Sequence, residues 1–341
     1  MRGLFLALVP LATGCIDASA PATASGGAGS GGAASPPSAG SASAAGMPAA
    51  TAGNGGKAGG GESSAGTAAS PGGAESGGSA GEGAGGAAGE GPLLEWPNAD
   101  NTGVPADLAL SPSEGMVVTT DGQVLEALEV AGAIIVRASD VVIRNCRITH
   151  DTTAIRFEEG SNLRVERVTL VGDDAETLDG AIQAWGDLQV RQIQVRGFGE
   201  GIDLYGAGGL IEDSYFHDMA NARGELMDGI EAWEAAHLTI RHNVLEMPDG
   251  NSVIKLPLDV PVPGGDDVLI ENNLLAGGGY TVYGGYDPPN QNPSYTNVRF
   301  IANRFSTKFG PKCGYYGPGA FIESELSRDN VWHESGEPLE L

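Results

Sequence analysis

Gln183, Asp203, Glu231, Lys255 and Tyr283 carry chemistry-capable side chains at one position of a short run that recurs in a 341-residue chain. The copies are Leu178-Asp179-Gly180-Ala181-Ile182-Gln183-Ala184-Trp185, Gly199-Glu200-Gly201-Ile202-Asp203-Leu204-Tyr205, Met227-Asp228-Gly229-Ile230-Glu231-Ala232-Trp233 and Ser252-Val253-Ile254-Lys255-Leu256. Side chains alternate across a strand, so Ile, Ala and Leu face one way and the acids, the lysine and the aromatics face the other. Two reactions use this set, with β-elimination as the first reading and glycoside hydrolysis as the alternative. In β-elimination a base removes the proton α to a uronate carboxyl group; Lys255 serves if burial and neighbours lower its pKa, and Tyr283 serves as the acid. The uronate charge would then be met by Arg223, by Arg156 or by a cation, and Asp203, Asp228 and Glu231 offer hard oxygen ligands for Ca²⁺. In glycoside hydrolysis two carboxyl groups act together. Asp203 and Glu231 on adjacent coils would lie roughly 5 Å apart, the spacing of retaining enzymes. Trp185, Tyr205 and Trp233 form a parallel aromatic column on which the CH faces of sugar rings would stack, with Gln183 and Arg223 holding polar groups. A plainer explanation exists for each feature: aromatics suit strands, charges solvate a sheet, and Lys255 would pair with Glu231.

A second repeated run must position the first. Its inward residues are Ile143, Val165, Val190, Ile211, Ile240, Ile270 and Phe300, at steps of 22, 25, 21, 29, 30 and 30 residues. Periods in this range belong to stacked repeats. No window has a helical period, and no leucine-rich pattern is present. Each unit holds two or three short β-type runs separated by Gly and Asp, which is one coil of a parallel β-helix. Stacking then predicts whole columns. One bend column reads Cys146, Val168, Ile193, Ser214, Asn243, Asn273, Asn303, and its asparagines predict an internal amide ladder. The outward columns are Arg156, Gln183, Asp203, Glu231, Lys255, Tyr283, Glu323, and Glu158, Trp185, Tyr205, Trp233, Pro257. The stretch Trp96–Pro105 is loop-rich and is expected to cover an end of the stack.

On these repeats, inward columns and asparagines, residues from about Trp96 to Leu341 resemble the right-handed parallel β-helix proteins of the pectin-lyase-like superfold. The resemblance implies an all-β solenoid over residues 94–341. It also implies a polysaccharide partner bound along a groove, and several lyases of this superfold use Lys or Arg as base, often with Ca²⁺. The polygalacturonase-type Asn-Thr-Asp, Asp-Asp, His-Gly and Arg-Ile-Lys set is absent, which counts against a pectin hydrolase. The superfold also contains non-enzymes, so a non-catalytic carbohydrate-binding or adhesion domain stays open.

Before the solenoid come two further segments. Residues 1–15 read as a signal: Arg2, an apolar run from Leu4 to Leu11, then Ala12-Thr13-Gly14-Cys15, which resembles a bacterial lipobox with Cys15 as the lipidated residue. Residues 16–93 are almost entirely Gly, Ala, Ser, Thr and Pro and read as a disordered tether. The expectation is a monomeric lipoprotein of the bacterial cell envelope, anchored to a membrane through its N-terminal lipid and facing the surface or the periplasm. Net charge is −26, which argues against nucleic acid as a partner. Cys146 and Cys313 would lie many coils apart, too far for a disulfide.

Overall fold

The computed structural model describes residues 95–172, 180–206, 208–220, 227–258, 264–286 and 295–341. The signal and tether expected at 1–93, Cys15 and Arg223 lie outside the described residues. The rest is a right-handed parallel β-helix with three faces, the hand that twisted parallel strands impose on their connections.

Face one is a nine-stranded sheet with one strand per coil, from Val124–Glu126 to Ser327–Arg328. Faces two and three join into a second sheet because the first long strand, Leu128–Arg137, runs round the bend between them. The inward column holds in the expected register: Ile143 pairs Val165, which pairs Val190, then Ile211, Ile240, Ile270 and Phe300. All these residues are buried. Removing such a column of branched side chains from water is the main driving force for stacking the coils.

The bend between faces one and two is a single residue in the left-handed region, repeated on every coil: Ala127, Asn145, Arg167, Gln192, Asp213, His242, Asn272, Ala302 and Asp329, with φ between 48° and 59°. The next residue points inward. In the later coils this is Asn243, Asn273, Asn303 and also Asn330, which the sequence reading omitted. The Nδ2 groups of Asn243, Asn273 and Asn303 each donate to the Oδ1 of the next rung at 3.0–3.1 Å, Asn330 Nδ2 donates to the Phe300 carbonyl and Ser327 Oγ, and each Oδ1 also accepts the backbone N–H of the rung before. Ser214 ends the ladder by accepting from the Ile193 N–H and donating to the Glu212 carbonyl.

Just before the bend runs a column of alternating charge: Glu126, Arg144, Glu166, Arg191, Glu212, Arg241 and Glu271 are successive neighbours. Buried Glu212 accepts from Arg241 Nε at 2.7 Å and pairs with Arg191 on its other side. Skipping one coil would set like charges opposite each other, so this column selects the coil order.

The Trp96–Pro105 entry does not cover an end of the stack. It lies across the bends: the Trp96 ring stacks on His242 at 5.2 Å, the Gly103 N–H donates to the Gln192 carbonyl, and the Val104 N–H donates to Thr169 Oγ1. The left-handed bend exposes ring and carbonyl groups there that need partners. Cys146 and Cys313 are both buried free thiols.

Candidate functional site

Face three carries the site. Its strands are Ile155–Glu159, Gly180–Ala184, Glu200–Tyr205, Asp228–Trp233, Ser252–Leu256, Tyr280–Gly284 and Gly317–Ala320. The outward column follows the sequence expectation for six positions: Arg156 pairs Gln183, then Asp203, Glu231, Lys255 and Tyr283. The seventh differs. Tyr283 pairs Ala320, and Glu323 lies beyond it at the start of a short 3-10 turn. The Gly-rich stretch between hid the register, because glycine carries no alternation to count.

The polar residues were expected on the solvent side. They do point away from the core, yet Asp203 and Asp228 are only 1% and 2% exposed, and Glu231 is 7% exposed. Four carboxyl groups meet there. One ligand oxygen each from Glu200, Asp203 and Glu231 lie within 4.8 Å of one another. Glu200 was missed in the sequence because alternation puts it on the inward parity of its strand. It sits at the strand start, next to the bend, and is only partly buried. Gly180 makes room for the cluster: a Cβ there would lie 2.4 Å from Asp203 Oδ2. Gln183 Nε2 donates to that oxygen at 3.3 Å. Asp203 Oδ1 is buried without a hydrogen-bond partner.

Asp228 is set apart from these three. Its Oδ1 accepts from Ser252 Oγ at 2.5 Å and Asn251 Nδ2 at 3.0 Å. Lys255 Nζ lies 2.7 Å from Glu231 Oε1 and 3.5 Å from Asp228 Oδ2, so the ammonium bridges both acids. The expected ligand trio of Asp203, Asp228 and Glu231 is therefore redrawn, with Glu200 in place of Asp228.

Crowding these acids out of water favours their neutral forms. Burial, with the charges of Asp203, Glu231 and Asp228, pushes Glu200 up to about 9. Burial pushes Asp203 up to about 7, against the lowering by Gln183. Asp228 is also raised by burial, with Lys255 and Ser252 acting against it. Burial and the charge of Asp228 raise Tyr283. Near neutral pH the Glu200–Asp203 pair thus retains a proton, and the Lys255 ammonium lies against Glu231.

The aromatic column differs from a flat wall. Trp185 and Tyr205 stack on each other, with centroids 4.8 Å apart and planes 11° apart. The Arg156 guanidinium lies 5.4 Å from the Trp185 ring centre. Rings on successive coils stack along the axis, so these two present their rims outward. Lys255 Nζ lies 5.9 Å from the centre of Trp233. On face two, His217 contacts Asp218 and Gln194 and stacks on Tyr215.

The donor set of Glu200, Asp203 and Glu231 suits a hard divalent cation: three carboxylate oxygens converge and one has no other partner. The same set suits proton sharing, and the raised acids describe that state.

No family model matches the chain, and no curated protein sequence matches it. Four chains of solved structures match. One is the A-module of mannuronan C-5 epimerase AlgE6 from Azotobacter vinelandii, 14% identical over 65% of this chain and 70% of that one, with a TM-score of 0.30. The β-helix assignment here rests on the strand register rather than on this likeness.

Proposed function

We propose that the chain binds an extended polysaccharide along face three and cleaves its glycosidic bonds with the acids of the central coils. The observation that carries this reading is the split among neighbouring carboxyl groups. The Glu200–Asp203 pair holds a proton near neutral pH, and Glu231 lies within 4.8 Å as a lysine-paired carboxylate. Neighbouring acids in unlike environments mark an acid and a nucleophile: burial raises Glu200 and Asp203 while Lys255 lies against Glu231, and acids this close suit a retaining rather than an inverting glycosidase. The acid pair, reached through partly buried Glu200, donates its proton to the glycosidic oxygen. Glu231 attacks the anomeric carbon as that bond breaks, giving a glycosyl ester. The ionised pair then takes a proton from water, which opens the ester and regenerates Glu231. Lys255 orients Glu231 and balances its charge.

A second reading is β-elimination of a uronate polymer. It is favoured by the adjacency of Lys255 and Tyr283 as base and acid, and by the orphaned Asp203 oxygen. A Ca²⁺ held by Glu200, Asp203 and Glu231 would supply the charge that neutralises a uronate carboxylate. Lys255 would have to release its proton from between two carboxylates, which is why hydrolysis stands first.

One assay separates them. The purified chain is incubated with a panel of neutral and uronate polysaccharides, with Ca²⁺ or with a chelator. New reducing ends without the absorbance of an unsaturated uronate, insensitive to chelation, support hydrolysis. A calcium-dependent rise in that absorbance supports elimination. Neither product from any polymer removes both reactions and leaves a binding role. Beyond the enzyme itself, we propose that Cys15 carries a lipid and that the chain works at the cell envelope as a monomer.

A further inference from the structure

The far end of face three holds a feature that the cluster of acids does not explain. Phe321 follows Ala320 with φ of +57°, a region in which a bulky side chain is strained. Half of it is in water, at 51% exposure. Its backbone is held in place: the Phe321 carbonyl accepts the Tyr286 N–H at 2.8 Å, and Gly284 leaves the space, since a Cβ there would sit 2.6 Å from that carbonyl. The strain turns the ring back onto the outward column, where it stacks on Tyr283 at 6.1 Å and 22°. Positive φ also recurs at every bend between faces one and two, so what sets Phe321 apart is a half-exposed ring held against Tyr283, which contributes little to a core.

Beside Phe321 is a cavity of about 270 Å³ lined by Asn251, Lys255, Leu256, Pro257, Tyr283 and Phe321. Pockets for drug-sized ligands run from roughly 300 to 1,000 Å³, so this one has room for a single ring. Its walls are apolar apart from the lysine and the asparagine. Unlike Trp185, whose faces meet Tyr205 and Arg156, Phe321 keeps an outer surface open.

We propose that Phe321, Tyr283 and Pro257 form a subsite for one pyranose ring, adjacent to the bond over the acids, with Lys255 and Asn251 meeting its hydroxyl groups. The apolar CH face of the ring lies on the aromatics and its polar edge turns to the lysine. This rests on face three being a polysaccharide groove, and it fixes where in that groove a sugar is gripped.

The test uses the full chain on an immobilised array of plant, algal and bacterial oligosaccharides, followed by titration of the best-bound glycan. Three proteins are compared: wild type, Phe321→Gly and Phe321→Tyr. Glycine relieves the positive φ, so Phe321→Gly should melt no lower than wild type while its affinity falls about tenfold. Phe321→Tyr should keep the affinity. Unchanged affinity in Phe321→Gly overturns the subsite and leaves the groove standing. A lower melting temperature in Phe321→Gly, with binding lost in both variants, makes the residue structural and also overturns the subsite. If wild type binds no glycan on the array, the groove and the subsite both fall.

Discussion

Asp203 is the residue on which most of the proposed chemistry turns. Its carboxylate is buried, has one oxygen without a partner, and sits beside two further acids. A buried acid whose folded pKa is raised binds more protons folded than unfolded, so its effect on stability falls as pH rises. Below about pH 4 the group is protonated in both states and the difference vanishes. Between there and the folded values of about 7 for Asp203 and about 9 for Glu200 the unfolded chain ionises first. The melting temperature in chelator should therefore fall by several degrees from pH 5 to pH 9, at about 2–4 °C per kcal/mol for a domain of this size. The double variant Glu200→Gln, Asp203→Asn should show a flatter curve. Added Ca²⁺ should abolish the fall if the cluster holds a cation, because ionised ligands are then favoured; a pH-independent wild type in chelator would show that the acids are not crowded as described. Glu231→Gln removes the proposed nucleophile without changing shape, and kcat should drop at least about a thousandfold. Wild-type turnover in that variant would eliminate the hydrolytic assignment.

At the scale of the element, a coil is held by what repeats through it. Asn273 is fully buried and makes four side-chain bonds: two accepted from Asn243, and two donated to the Ile240 carbonyl and to Asn303. Asn273→Ala leaves several of these groups buried without partners, at about 1–3 kcal/mol each. A loss of about 3 kcal/mol or more, seen by denaturant titration, is expected. Ser at this position should cost less, since Ser214 ends the same ladder. Gly180 has a different task. Gly180→Ala drives a methyl group into the Asp203 carboxylate. It should destabilise by about 1–3 kcal/mol and disable the acid cluster together. Normal activity in Gly180→Ala would mean that Asp203 need not occupy its observed place.

Across the whole molecule, the site is a line rather than a pocket. From the Gly180–Ala184 strand to the Gly317–Ala320 strand the outward column crosses five coil spacings of roughly 4.8 Å each, suited to several sugars of an extended chain. Trp185 lies at one end and Phe321 at the other, with the acids between. Replacing Trp185 and Trp233 together with Ala should weaken polymer binding about tenfold in a retardation gel while leaving binding of short oligosaccharides at the Phe321 end largely intact. Equal loss for short and long chains would contradict an extended groove.

The coil is legible in the sequence alone. The inward residues from Ile143 to Phe300, the bend column from Cys146 to Asn303, and the outward column from Arg156 to Tyr283 all stand in the register that counting gives. Alternation and period are local properties, and stacking turns a period into a column. Columns failed where the period is interrupted, as at Glu323, or where a residue lies at a bend and parity misleads, as at Glu200. The state of the side chains, by contrast, arises only when the coils stack. The sequence shows acids on an outward face, and outward would mean solvated. Stacking brings Glu200, Asp203 and Glu231 together out of water, and that loss of hydration, which no linear pattern records, puts protons on some of them and a lysine on another. It likewise stacked Trp185 on Tyr205 so that these two rings present their rims, and placed the ring of Phe321 beside a cavity contributed by three separate coils.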